Sequence, residues 1–259
     1  TKVLTMNNKR ERYMIISDLH VPDHDIRIFD LYLKFIAHYQ PDYLDILGDF
    51  INFTKISKFD QDPYYKTDLA DEIQEGRGLL KQLVDTAHKA NKDVHITYFQ
   101  GNHEKRLQKY LGRNAQQLAD LTLDGEYIVS IPHLFELKKL GVKWVPDDQI
   151  VERHNTIFIH GASTAKHAAN INIQKFGTSG FSAHTHRLKQ VEVTWYKNRV
   201  FWVEVGCSCN RQPQPSYTIM PDWQQGFSVA EYNFDTHQFY PQIIPIINHS
   251  FEYGGKIFV

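Results

Sequence analysis

The sequence predicts a mixed α/β fold, with βαβ units building a mostly parallel sheet in the first half and a strand-rich second half adding a mixed sheet packed on the first. Three observations predict it. Short apolar runs rich in β-branched and aromatic residues alternate with helical patterns along the first half. Beyond them, strand patterns crowd together with little helix between. No Pro/Gly/Ser-rich linker divides the two parts, so 1–259 read as a single domain.

In order, "TKVLTMNNKRER" reads as a leader, frayed or partly paired, and "YMIIS" (13–17) as a buried strand. "IRIFDLYLKFIAHY" spaces Ile28, Leu31, Phe35 and Ile36 at helical intervals, and a second strand, "YLDIL" (43–47), follows. The segment 52–66, "NFTKISKFDQDPYYK", mixes aromatic and basic residues and reads as a capping loop, or as a surface on which bases stack. "LADEIQEGRGLLKQLVDTAHKA" is the next helix, with Ile73, Leu79, Leu80 and Leu83 on one face, and leads into the strand "VHITYF" (94–99). A helix near 103–121 precedes "VKWV", "TIFIH" and "GFSAH". Two hairpins close the pattern: "QVEVTWY" with "RVFWVEV" around Lys197-Asn198, and "GFSVAEYNF" with "QFYPQIIPI" around Asp235-Thr236.

Bulk properties exclude several classes. At 259 residues the chain buries a core without help from disulfides. A formal charge of -1 supplies no global field for nucleic acid or anionic membrane, so any contact with a polyanion is local. No apolar stretch approaches the ~18 residues of a membrane span, and no signal-peptide pattern opens the chain. Cys207 and Cys209 are too few for a disulfide framework; a reduced, cytoplasmic setting fits, with both as ordinary small core or turn residues and a redox or metal role as the lesser reading. The apolar "PQIIPIIN" suits either an oligomer interface or hairpin packing.

Each strand-like run ends in residues able to hold a metal. "IISDLH" gives Asp18 and His20, "DILGDFIN" gives Asp49, "YFQGNHE" gives Asn102 and His103, "IFIHG" gives His160, and "FSAHTHR" gives His184 and His186. Taken singly, a D-x-H is usually a solvated loop, a GD a turn and an H-x-H a surface pair. Five such fragments at strand ends are a different matter, because in open α/β sheets ligands gather outside the carboxyl ends of the strands. On an extended backbone, residues two apart project from one face about 6 to 7 Å apart. That suits His184 and His186 to neighbouring metals, since paired catalytic metals sit roughly 3.5 to 4 Å apart. Asp18 and His20 share the spacing and suit one ion, and Asp49 can bridge two. Imidazoles, carboxylates and an amide oxygen favour Mn, Fe, Zn or Ni over Ca or Mg.

In order, "DLH", "GDFIN", "GNHE", "HG" and "AHTH" resemble the signature blocks of the calcineurin-like metallophosphoesterase superfamily. The blocks span residues 18–186, with Ala183 where the family usually has Gly, so a differently shaped turn is expected there. The resemblance implies a four-layer αββα sandwich of two mixed β-sheets flanked by helices, and a cofactor of two divalent metal ions, Mn first among Mn, Fe, Zn and Ni. By position, Asp18, His20, Asp49 and His186 would hold one metal; Asp49, Asn102, His160 and His184 would hold the other. It also implies attack by a metal-bridging hydroxide, with His103 as general acid and Glu104 orienting that histidine or its loop. Expected substrate contacts are Asn102, His103, Arg106 and Arg187; the last two, with Lys105 and Arg113, read either as a basic rim for a phosphate backbone or as ordinary solvated residues.

The substrate expected is a phosphate ester. Neither the GDxVDRG block of the Ser/Thr phosphatases nor the Tyr ligand of purple acid phosphatases is present; "GDFINF", Gln100 and Asn52 stand there instead. What remains resembles the bacterial and phage phosphodiesterase branch, including exonuclease-like members, and "DLHVPDHD" and "DWQQGFSVAEYNF" resemble segments of phage phosphoesterases. Phosphodiester hydrolysis in DNA or RNA is therefore the first expectation. A small-molecule phosphatase or cyclic nucleotide phosphodiesterase is the alternative, and a non-catalytic protein-binding scaffold the third, which an intact ligand set argues against.

Overall fold

The computed structural model describes residues 9–59, 67–161, 163–196, 198–210 and 221–259. Most of the leader (1–8) and the second part of the 52–66 segment (60–66) lie outside them, as does Lys197 at the first hairpin turn. The first half runs β1 (Arg10–Ile16), α1 (Ile26–Tyr39), β2 (Tyr43–Ile46), α2 (Leu69–Ala90) and β3 (His95–Phe99). After α3 (Lys105–Asn114) and α4 (Gln116–Ala119) come a small hairpin of β4 (Thr122–Leu123) and β5 (Glu126–Tyr127), α5 (Ile131–Leu134) and β6 (Lys143–Val145). Then follow β7 (Val151–Arg153), β8 (Thr156–Phe158), α6 (Ala168–Phe176), β9 (Ser179–Ser182), β10 (Leu188–Trp195) and β11 (Asn198–Val205). The last strands are β12 (Gly226–Asn233), β13 (Gln238–Pro245), β14 (Phe251–Tyr253) and β15 (Lys256–Phe258).

The two helices read from apolar spacing start at side-chain caps. Asp25 accepts from Arg27 N at the start of α1, and Asp68 caps α2 by accepting from Asp71 N. The helix expected near 103–121 breaks into α3 and α4 at Ala115, just after Gly112 and Asn114, two weak helix formers.

Six strands form the first sheet in the order β13-β12-β1-β2-β3-β6, and five form the second in the order β10-β11-β9-β8-β7. Both are mixed. Strands β1, β2, β3 and β6 run parallel, and the β12–β13 hairpin adds antiparallel to β1. In the second sheet β8, β9 and β11 are parallel, with β7 and β10 antiparallel at its edges. One expectation is corrected here: β6 and the β12–β13 hairpin extend the first sheet rather than the second. The free edge of β1 takes β12 in the register Tyr13↔Ala230, and strands buried on both faces carry too little alternation to name their sheet.

Strand alternation places three cores. Met14, Ile16, Leu44 and Ile46 face α1 and α2. Tyr13, Ile15, Leu47 and Phe99 point the other way, onto Phe158, Phe181, Val203 and Val205 of the second sheet. Ile157 and Trp202 face α6 through Ala169 and Ile173. The result is the four-layer αββα sandwich, helices outside and two mixed sheets within. Among the described residues no helix is long and apolar enough to cross a membrane. The edge strand β13 carries Pro241 and Pro245, which withhold ladder donors, and β14–β15 packs Phe251 and Phe258 on Phe35 of α1.

Candidate metal centre

Every ligand fragment follows the carboxyl end of a parallel strand: Asp18 and His20 after β1, Asp49 after β2, Asn102 and His103 after β3, His160 after β8, and His184 and His186 after β9. The two sheets present these ends at one edge of the sandwich, so residues far apart in sequence meet there. Backbone bonds bind the first two loops together, from Asp18 N to Gly48 O (3.1 Å) and from His20 N to Asp49 O (3.0 Å).

Two glycines make the approach possible. A Cβ on Gly48 (φ +88) would lie 2.6 Å from Gly101 N, and one on Gly101 would lie 2.2 Å from Asp49 Oδ1. The extended geometry expected of the ligand pairs is corrected. Asp18, His20, Asp49, His184 and His186 all have positive φ, between 48 and 72. The loops turn sharply after each strand, and Asp and His are among the residues that tolerate the left-handed region. Ala183 is not in that region; its N–H donates to His160 O (2.8 Å), so the methyl in place of glycine needs no special backbone.

The side chains gather in two overlapping groups. In the first, His186 Nε2 lies 3.2 Å and His20 Nε2 3.6 Å from Asp18 Oδ1, the two imidazole nitrogens are 3.0 Å apart, and Asp49 Oδ2 is 4.0 Å from His20. In the second, His160 Nε2 lies 3.4 Å from Asp49 Oδ2 and 3.2 Å from Asn102 Oδ1, with the His184 ring packed on that of His160. Asp49 Oδ2 is common to both. All seven expected ligands are thus brought together, and His103 stands beside them with Nε2 3.9 Å from Asp49 Oδ2.

The residues fit cations. Asp18 Oδ1 is buried and has no hydrogen-bond partner among the described residues, although two imidazole nitrogens face it. A lone pair left so in the interior is costly unless a cation fills the space. Second contacts set the tautomers that a metal needs. His160 Nδ1 donates to Leu47 O (2.6 Å), and His20 Nδ1 meets Asn52 Oδ1 (2.8 Å), which leaves each Nε2 free for a ligand role. Asn52 is itself held by Asp23 Oδ2 (2.7 Å).

Electrostatics agree with mutual dependence. Burial opposes a charge on Asp18, but His186, His20 and His160 outweigh it and hold the carboxyl far below its usual range. Asp49 is likewise buried and held low by His160, His103 and His20. His160 is lifted to about 10 against its burial, by Asp49, Asp18 and Glu104. Burial lowers His184 and His103; Asp49 opposes the shift in His103, while His20 and Arg106 add to it.

The expected substrate residues occupy less open positions. Arg106 donates to Asn52 O (2.8 Å), and its second nitrogen lies 3.0 Å from His103 Nε2. Since a guanidinium only donates, His103 Nε2 accepts there, and its Nδ1–H points to Asn52 O (3.2 Å). Arg187 pairs with Asp222 (3.2 Å) and donates to Ala165 O (3.0 Å). Lys105 pairs with Asp147, and Arg113 is exposed on α3. Two residues escaped sequence reasoning as members of the site. Asn52, the last residue of the GDFIN block, holds the His20 ring, and Trp223 lies with its ring centre 4.3 Å from that of His186, a proximity that no spacing signals.

No family model matches the chain. Two relatives are similar over almost the full length, the Gene 54 proteins of Mycobacterium phages D29 and L5, each 25% identical over 265 residues that span 95% of this chain and 98% of the relative. Solved structures with a similar chain course include Vps29 of Chaetomium thermophilum, with TM-score 0.43, 13% identity, and 92% of this chain on 86% of that one. Nuclease MPE of Pseudomonas putida gives 0.36, 14%, and 89% on 87%. Purple acid phosphatase PPD1 from yellow lupin gives 0.47, 10%, and 91% on 52%. At these scores none lends a property to this chain.

Proposed function

We propose that this chain is a divalent-metal-dependent phosphoesterase that hydrolyses phosphodiesters, with nucleic acid as its substrate class. The observation that carries the reading is the double cage around Asp49 Oδ2, within ligand reach of His20 on one side and His160 on the other. Asp18, His20, Asp49 and His186 would hold one cation and Asp49, Asn102, His160 and His184 the other, with Mn2+ the first choice for this nitrogen and oxygen set. When bound, such cations supply Lewis acidity, making water a nucleophile near neutral pH and offsetting phosphoryl charge.

The chain's own residues do the rest. His103 is the one imidazole beside the cage outside the proposed ligand set, and its Nε2 is the atom from which a proton would reach the leaving oxygen. In the ground state Arg106 occupies that nitrogen as a donor, so the ring is neutral. An anionic phosphate entering between them draws the guanidinium onto its own oxygens and frees Nε2 to take up a proton. Arg106 and His103 therefore act as one unit. Trp223, partly exposed against His186, offers a flat surface beside the cage on which a base can stack. The pairing of Lys105 and Arg187 with acids favours a second reading, a compact phosphate monoester or cyclic nucleotide, because it weakens the basic rim a long polyanion would use.

Purified protein loaded with Mn2+ decides between them on labelled single-stranded DNA and RNA, bis-p-nitrophenyl phosphate and a nucleotide panel. Cleavage of oligonucleotides is expected, with His103→Ala lowering kcat about 10²- to 10⁴-fold and Asp49→Ala abolishing turnover. Hydrolysis of the small ester with every oligonucleotide intact would sink the nucleic-acid reading.

A further inference from the structure

Behind His186, on the side turned away from Asp18, lie two thiols. Residues 207–209 follow β11 in an extended run tied by bridges to Gln225 and His24. Side chains alternate there. Ser208 turns toward the first sheet, its hydroxyl donating to Ser17 O (2.9 Å) and meeting Tyr32 OH (2.6 Å). Cys207 and Cys209 therefore share the opposite face. Cys209 Sγ is 4.0 Å from His186 Nδ1, Cys207 Sγ is 3.6 Å from Gln224 O, and the two sulfurs and one imidazole nitrogen all lie within 4.8 Å of one another. All three residues are buried.

We propose that Cys207, Cys209 and His186 Nδ1 form a further metal site, selective for a thiophilic cation such as Zn2+ and chemically distinct from the nitrogen and oxygen cage. Zinc bonds of about 2.3 Å to sulfur and about 2.0 Å to nitrogen require ligand atoms roughly 3.5 Å apart, so the triad closes with movements under about 1 Å. Core packing explains the burial of two small residues, but not their convergence on one nitrogen. The contrast with neighbouring histidines is informative: Nδ1 of His160 meets a carbonyl and that of His20 an amide oxygen, whereas Nδ1 of His186 faces sulfur. Soft sulfur donors discriminate against Mn2+ and Mg2+.

On binding, both thiol protons leave to solvent and two metal–sulfur bonds form. Nδ1 gives its lone pair to the cation, and the ring's proton then resides on Nε2, which faces Asp18. One imidazole thus serves either the thiols or the Asp18 group, and a thiophilic cation inhibits by withdrawing His186 from the cage. This consequence rests on the phosphoesterase reading. The thiol site does not.

The test adds one equivalent of Cd2+ to the full chain saturated with Mn2+. A thiolate-to-cadmium charge-transfer band saturating at one ion per chain is expected, with two sulfur neighbours in the cadmium X-ray absorption spectrum. The band should vanish in the double variant Cys207→Ala, Cys209→Ala. Cadmium with only nitrogen and oxygen neighbours in the wild-type protein would overturn the site, and that measurement stands even where the double variant does not fold. Excess Zn2+ should slow ester hydrolysis at least tenfold more in wild type than in the double variant; equal inhibition of both overturns the sharing of His186. A protein that shows the band and hydrolyses no ester supports the thiol site and refutes the phosphoesterase reading alone.

Discussion

Glu104 is fully buried, and its carboxylate accepts from Asp49 N (3.0 Å), Phe50 N (2.8 Å), Gly101 N (2.8 Å) and Tyr98 OH (2.8 Å). One residue therefore clamps the loop after β2 to the turn after β3, and so sets where Asp49 meets Asn102. Burial and then Asp49 push its pKa up, but an all-donor shell keeps it an acceptor. The sequence suggests a role in orienting His103 or its loop; the contacts assign it to that loop, through Gly101 N, and equally to the loop bearing Asp49. Glu104→Gln turns an amide NH2 toward backbone donors. It should cost about 2–3 kcal/mol in urea unfolding and weaken metal binding about 10- to 100-fold by titration. Unchanged metal affinity in a folded variant would show that the clamp does not set the cage.

At the scale of elements, α2 reaches the site through Glu72, which accepts from the backbone N–H groups of Phe53 and Thr54 and so anchors the chain just beyond Asn52. Burial raises the Glu72 carboxyl to about 7 although both N–H groups and Arg106 pull it down. A pKa higher in the folded chain means that the folded state binds the extra proton. The contribution to stability is complete below the ordinary value of 4.5 and is lost as pH rises through about 7. Glu72→Gln should flatten stability against pH in that window, read by denaturant midpoints at several pH values. A slope equal to that of the wild type would place the titrating group elsewhere. The helix was legible because its apolar face repeats at helical spacing. Glu72 was not, since a glutamate on a helix reads as solvated until the chain folds over it.

At the scale of the molecule, the ion pair of a half-buried arginine and a buried aspartate helps join the two sheets away from the metal centre, beside apolar packing. Arg153 on β7 crosses to Asp45 on β2, with bonds of 2.7 and 3.0 Å, and also donates to Thr97 on β3 (3.0 Å). Its guanidinium lies 4.8 Å from the ring centres of both Tyr43 and Phe158. Arg153→Met leaves Asp45 buried and uncompensated, and should cost about 3–5 kcal/mol in urea unfolding, whereas adding Asp45→Leu should recover much of the loss. Additive losses would mean that the pair is not the coupling element.

By itself the sequence determined β1 to β3 with α1 and α2 between them, the two late hairpins and the seven metal-competent side chains at strand ends, because these are local properties of spacing and residue type. It did not say which sheet takes the β12–β13 hairpin, that the ligand loops turn through positive φ, that Asn52 and Leu47 O set imidazole tautomers, or that Cys209 lies behind His186. Those relations join residues as far apart as Tyr13 and Ala230, or His20 and His186. Only the closing of one sheet upon the other brings such partners within a few ångströms, and a contact that exists only in three dimensions leaves no periodicity along the chain.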